Sequence, residues 1–162
     1  MIVEISAVFA SVALAALVVA AAYDVVHFEI PDTLSIIILV TALGHGAVMP
    51  EFHWASHLAA MLLVLMIGLL VFRLGAMGGA DIKLLVAIAG WTGLAGLAQQ
   101  ITAVVVAGGG LALVLITVRA VAALAVAPEL LPRIAQKGAP LPYAVAITAG
   151  TGWWAHGNWS VI

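Results

Sequence analysis

Two acidic side chains, Asp24 and Asp81, interrupt a chain that is otherwise almost free of charge. Asp24 closes one long, mostly apolar run, and Asp81 opens another just after a glycine-rich stretch, Leu74 to Ala80. A pair of carboxylates can hydrolyse a peptide bond through one water. The ionised member takes a proton from the water, and the protonated member gives one to the carbonyl oxygen and later helps the amine leave. Two like charges close together cannot both ionise cheaply, so such a pair holds one proton between them. This chemistry needs no metal and no cofactor. Other hydrolytic arrangements fit poorly. The chain has no cysteine, and none of its serines stands beside a histidine in a plausible site. His53 and His57 have the i, i+4 spacing of a helical metal pair but no clear third ligand, so no metal site is expected. Taken singly, each aspartate could merely end an apolar span, and ordinary N-capping would account for Asp81.

The elements that must position these groups follow from composition. Of 162 residues, 66% are apolar and 7% charged, against about 25% charged in a soluble domain. Lipid is therefore the solvent for most of the surface, and an all-α integral membrane protein is expected. Five basic residues and a net charge of −2 exclude a nucleic-acid binder, which needs a dense basic face. The length suits one domain, residues 1–162, of about six spans. They are placed at 4–22, 33–49, 56–73, 82–98, 101–120 and 141–156, with a tight turn at Gln99-Gln100 and a short interfacial helix between Pro128 and Gly138. Val19 to Ala22 looks like a signal cleavage site, but no basic residue precedes it, so the first stretch reads as a retained span.

Lysine and arginine beside spans favour the cytoplasm. With the N-terminus outside, Arg73, Lys83, Arg119, Arg133 and Lys137 all fall on the inner side. Trp54, Trp153, Trp154 and Trp159 then collect on the outer side, as an aromatic belt would. This topology puts Asp24 and Asp81 at the same depth on the inner face, with Glu29 and Asp32. Glu4, Glu51 and Glu129 read as solvated loop charges. Gly75, Gly78 and Gly79 allow the backbone to bend there and an extended peptide to approach Asp81. The triplet Gly108-Gly109-Gly110 reads as a helix-packing surface.

Three motifs lie in order along residues 24–147. Gly75-Ala76-Met77-Gly78-Gly79-Ala80-Asp81-Ile82-Lys83 resembles the Gly-x-Gly-Asp motif of the type IV prepilin peptidases and archaeal preflagellin peptidases. Asp24 followed by Ile30-Pro31-Asp32 resembles their upstream aspartate motif, with Asp32 where asparagine is usual. Pro142-Tyr143-Ala144-Val145-Ala146-Ile147 resembles a run in the short branch that serves Flp-type, or tight-adherence, pili. The resemblance implies a membrane aspartic endopeptidase with Asp24 and Asp81 catalytic. It cuts the basic leader from prepilins and pseudopilins at the cytoplasmic face of the bacterial inner membrane. A homo-oligomer is compatible with it. The cytoplasmic cysteine-bearing domain of the long, methylating relatives is missing, which implies cleavage alone. Ala80 replaces the second motif glycine, and the basic residue often found soon after the first aspartate is replaced by Val25-Val26-His27.

Supporting roles remain open. Lys83 is a positive-inside anchor or a charge that tunes the pair or holds a substrate acid. Glu29 and Asp32 are solvated loop acids or contacts for the basic leader. Tyr143 is packing or support for the site. Two other functions compete: a small transport or proton-conducting subunit, which would place acids at mid-membrane, and a non-catalytic subunit of a secretion assembly.

Overall fold

The computed structural model describes residues 2–125, 131–136 and 138–158. Five α-helices follow one another: α1 (Ile2–His27), α2 (Asp32–Val48), α3 (Trp54–Arg73), α4 (Gly79–Ala125) and α5 (Tyr143–Asn158), with one 3₁₀ turn at Arg133–Ala135 before α5. Three helices are long and apolar enough to cross a membrane, and α2 is a shorter apolar helix. Large apolar side chains such as Met66, Leu70, Val105 and Leu113 point outward. That arrangement suits lipid, and the chain is an all-α membrane protein. The centre is built from small residues of α1 (Ala13, Ala16, Ala20) against Ile38, Leu84, Ile88 and Ile147. Small side chains let helices approach where lipid supplies no hydrophobic drive.

The helix count differs from the expected six because the fourth and fifth spans join into α4. The break lies at Gly93 (φ 57°, ψ −177°) rather than at Gln99-Gln100. The limbs 79–92 and 94–125 run in opposite directions. Leu85 and Ala89 of the first share a cluster with Leu97 and Ile101 of the second. The second limb then descends along α5: Gly96 meets Trp154, Gln100 donates to Thr151 Oγ1 at 3.1 Å, and Arg119 reaches Pro140 O. Gln100 is thus a buried, paired side chain within a helix and not a turn residue.

A break inside an apolar bundle leaves backbone groups without helical partners, and lipid cannot supply any. The start of α3 supplies both. Ser56 Oγ accepts the Leu94 N–H at 3.0 Å, and His57 Nδ1 bonds to Gly90 O at 2.9 Å. A side chain at Gly93 would press on both groups.

The tightest helix approach is not at the Gly108 triplet. Gly108 lies near the Ala146 methyl, while Gly109 and Gly110 face open space. The close contact is at Gly150, where an added Cβ would overlap the backbone of Val104. The aromatic belt is also smaller than expected: Trp54 and Trp153 are exposed, but Trp154 turns into the bundle. Glu129, Lys137, Trp159 and part of the segment expected to be an interfacial helix lie outside the described residues.

Replacing Gly150 by Ala should destabilise the bundle by about 1–3 kcal/mol, the usual size of overpacking, whereas Gly109→Ala should be neutral or slightly stabilising. Thermal unfolding of both variants in the same detergent measures the contrast.

Candidate active site

The ends of α1 and α3 and the starts of α2, α4 and α5 converge at one end of the bundle. Asp24 sits in the last turn of α1, with its side chain pointing inward and only 7% of the residue exposed. Its Oδ2 accepts the backbone N–H of Ala144 at 2.9 Å. Ala144 is the second residue of α5, so α1 supplies the cap that α5 lacks in its own chain. The helix then turns sharply at Phe28, which adopts the left-handed conformation (φ 55°). That conformation costs a non-glycine residue about 1–2 kcal/mol. Ile30 is buried, and Pro31, in extended conformation, precedes the first residue of α2.

Asp81 lies in the first turn of α4 and is half-buried. Its carboxylate accepts the backbone N–H of Gly78 and stands within electrostatic range of Asp24. The fit around Gly78 is close. A Cβ there would stand 2.9 Å from Asp81 Oδ2, whereas one at Gly79 would meet only the Phe72 ring at 3.7 Å. Gly75 has a different role, taking φ +69° just after α3 with nothing near it. The two aspartates singled out by the sequence are therefore brought together, both against helix N-termini, where the macrodipole favours negative charge.

The secondary candidates divide. Lys83 Nζ binds both carboxylate oxygens of Asp32 at 2.7 Å, with both side chains more than half exposed. Each is thus engaged by the other and tethers α2 to α4 at the surface. Glu29 is exposed in the α1–α2 connection. Tyr143 opens α5 beside Ala144 and is 36% exposed. Among the described residues no group of His, Asp or Glu has the arrangement of a metal site.

Sequence reasoning missed two contributors. One is the Ala144 N–H, because a backbone donor has no letter. The other is Arg119, which the sequence marked only as a topology signal. Its Nε donates to Ile134 O at 2.9 Å and its Nη2 to Pro140 O at 3.1 Å. It thereby holds the segment that delivers α5 to Asp24, and the 3₁₀ turn in that segment packs against both α1 and α4. Charge-assisted hydrogen bonds contribute about 1.5–3 kcal/mol each. Arg119→Ala should therefore speed local opening of residues 131–142 by about tenfold or more, with Arg119→Lys in between, read by amide hydrogen exchange.

Comparison with known families adds what geometry cannot. A search of curated proteins and one of solved structures found no match. The model of the type IV leader peptidase family matches residues 11–127, which include both aspartates and the glycine-rich turn but stop short of Ala144. With most of its length matched by that model, this membrane chain belongs to the type IV leader peptidase family.

Proposed function

We propose that this chain is an aspartic endopeptidase that uses Asp24 and Asp81 to remove the basic leader from prepilins and pseudopilins, in the manner of the Flp-pilus branch. The cut falls at the cytoplasmic face of the bacterial inner membrane. The observation that carries this reading is the approach of the two carboxylates at one end of the bundle, in a chain of the leader peptidase family. A transport function fits less well, because the acids lie at helix ends and not at mid-membrane.

The chemistry needs one water between the two side chains. One carboxylate is ionised and removes a proton from the water as its oxygen attacks the scissile carbonyl carbon. The other is protonated and donates to the carbonyl oxygen, giving a tetrahedral diol. As the C–N bond breaks, a proton passes to the departing amine and the pair returns to its starting charge. Asp24 and Asp81 act as a unit, so neither is assigned the proton. Gly78 fixes the Asp81 carboxylate through its N–H, and Ala144 does the same for Asp24.

Substrate position is supported by two further features. An apolar groove of about 230 Å³ runs between α3 and α4 and begins beside the site at Met77 and Ile82. It suits the apolar segment that follows a leader. Arg73, Lys83 and Arg119 mark the aspartate end as the inner one. Glu29, exposed and close in sequence to Asp24, is the acid best placed for a basic leader, since Lys83 occupies Asp32.

Asparagine variants separate catalysis from capping. An asparagine in place of Asp24 would still accept the Ala144 N–H but could not exchange a proton. Asp24→Asn and Asp81→Asn should each lower prepilin cleavage by about 100-fold or more while the melting temperature stays near that of the wild type. Product mass after incubation with the purified precursor measures it, and near-normal cleavage by either variant would falsify the dyad. Gly78→Ala should displace the Asp81 carboxylate and reduce kcat by about tenfold or more, because a 1 Å misplacement is enough for such losses. Gly79→Ala, with room for its methyl, should stay within about threefold on the same argument.

A further inference from the structure

At the end of the bundle opposite the aspartates lies a second polar cavity, of about 630 Å³, between the end of α2, the start of α3, the Gly93 break and the end of α5. A single water occupies roughly 30 Å³, so the space suits a small molecule. Two polar atoms on residues lining it, Thr92 Oγ1 and Trp154 Nε1, have no hydrogen-bond partner among the described residues, and both residues are 7% exposed. An indole N–H can only donate. Leaving such groups unpaired costs about 1–3 kcal/mol each, so the cavity calls for a guest that accepts hydrogen bonds.

The charge of the guest follows from the rest of the wall. Among the described residues, Glu51 is the only acid that lines it, and no lysine or arginine does. Phe52 and Trp91 add aromatic surface, and ring faces attract cations. His57 donates through Nδ1 to Gly90 O, so its Nε2, turned toward Gly93, offers a lone pair when the ring is neutral. A bare anion would meet Glu51 with no basic partner. A bare cation would leave Trp154 Nε1 unpaired. A guest bearing a primary ammonium a short link from an acceptor oxygen satisfies both.

Depth selects the source. Exposed Trp54 and Trp153 flank this end of the bundle, as tryptophans do at the headgroup level of a bilayer. We propose that this outward cavity binds the zwitterionic headgroup of an aminophospholipid, with the ammonium toward Glu51 and the aromatic wall and a phosphodiester oxygen toward Trp154 Nε1 and Thr92 Oγ1. The site is separate from the aspartate end and does not depend on what the aspartates do.

The test uses the full chain in nanodiscs of mixed phosphatidylethanolamine, phosphatidylglycerol and phosphatidylcholine, with retained lipid read by native mass spectrometry. The wild type should retain phosphatidylethanolamine over the other two by about fivefold, the size of one such polar or cation–π contact. Glu51→Gln and Trp154→Phe should each remove that preference. Glu51 is exposed, so its variant should fold, and circular dichroism checks both. Soluble glycerophosphoethanolamine forms a second arm. Displacement of bound lipid by it supports the headgroup as the recognised part. Equal retention of the three lipids by the wild type, or a preference that survives in both variants, overturns the proposal.

Discussion

Lipid offers no hydrogen bonds, so every backbone group freed by a helix end or break inside the bundle must be satisfied by the protein itself. Most of the polar side chains in this chain are placed by that requirement. Asp24 takes the first-turn N–H of α5, Ser56 takes the N–H that opens the second limb of α4, and His57 takes a carbonyl left by the first limb. Arg119 takes two carbonyls of the segment before α5. These bonds join helices distant in sequence, so the caps also serve as the fasteners of the tertiary structure. With so few polar residues to distribute, a change at one of them disturbs a helix end and a helix–helix contact together.

Asp24 is the telling case, because its structural task does not require a charge. A neutral asparagine would accept the Ala144 N–H as well, and N-cap preferences rank the two residues about equally. A carboxylate at that depth brings a desolvation cost of up to about 2.5–3.5 kcal/mol, less near the boundary. The dipole of α5 returns only about 0.3–1 kcal/mol of that. A second acid held nearby by Gly78 adds repulsion. A fold selected only for stability has no use for two such residues side by side, so the arrangement favours chemistry over capping.

The sequence reveals what is local and hides what is paired at a distance. Asp24, Asp81 and the glycines before Asp81 are legible because each breaks a hydropathy pattern within a few residues. The membrane class is legible for the same reason. Gln99-Gln100 misleads because a polar pair in an apolar run has two physical solutions, a turn at the surface or a buried side chain with a partner. The partner, Thr151, lies 51 residues away. The true break at Gly93 sits in a stretch whose composition differs little from its neighbours, and only the positive φ marks it. Trp154 reads as a belt residue on type alone, and its burial depends on a neighbour, Gly96, that lies far off in the chain. The ion pair of Lys83 with Asp32 and the bond of Asp24 to a backbone amide leave no trace in either local stretch.

The direction of the helices explains why the acids can share one end. α2, α4 and α5 all begin there, so three partial positive charges face the region in which Asp24 and Asp81 approach. Two of those helices place a backbone N–H on a carboxylate, Ala144 on Asp24 and Gly78, just ahead of α4, on Asp81. These donors are fixed by the helices and do not reorganise as charge moves between the two acids. Such fixed dipoles stabilise one negative charge wherever it sits in the pair, without a metal or a basic side chain in direct contact. The reversal of α4 at Gly93 makes this possible. It returns the second limb to the aspartate end, where Arg119 can hold the approach to α5. A straight α4 would carry Arg119 away from that end and leave the N-terminus of α5, and with it the bond to Asp24, without its anchor.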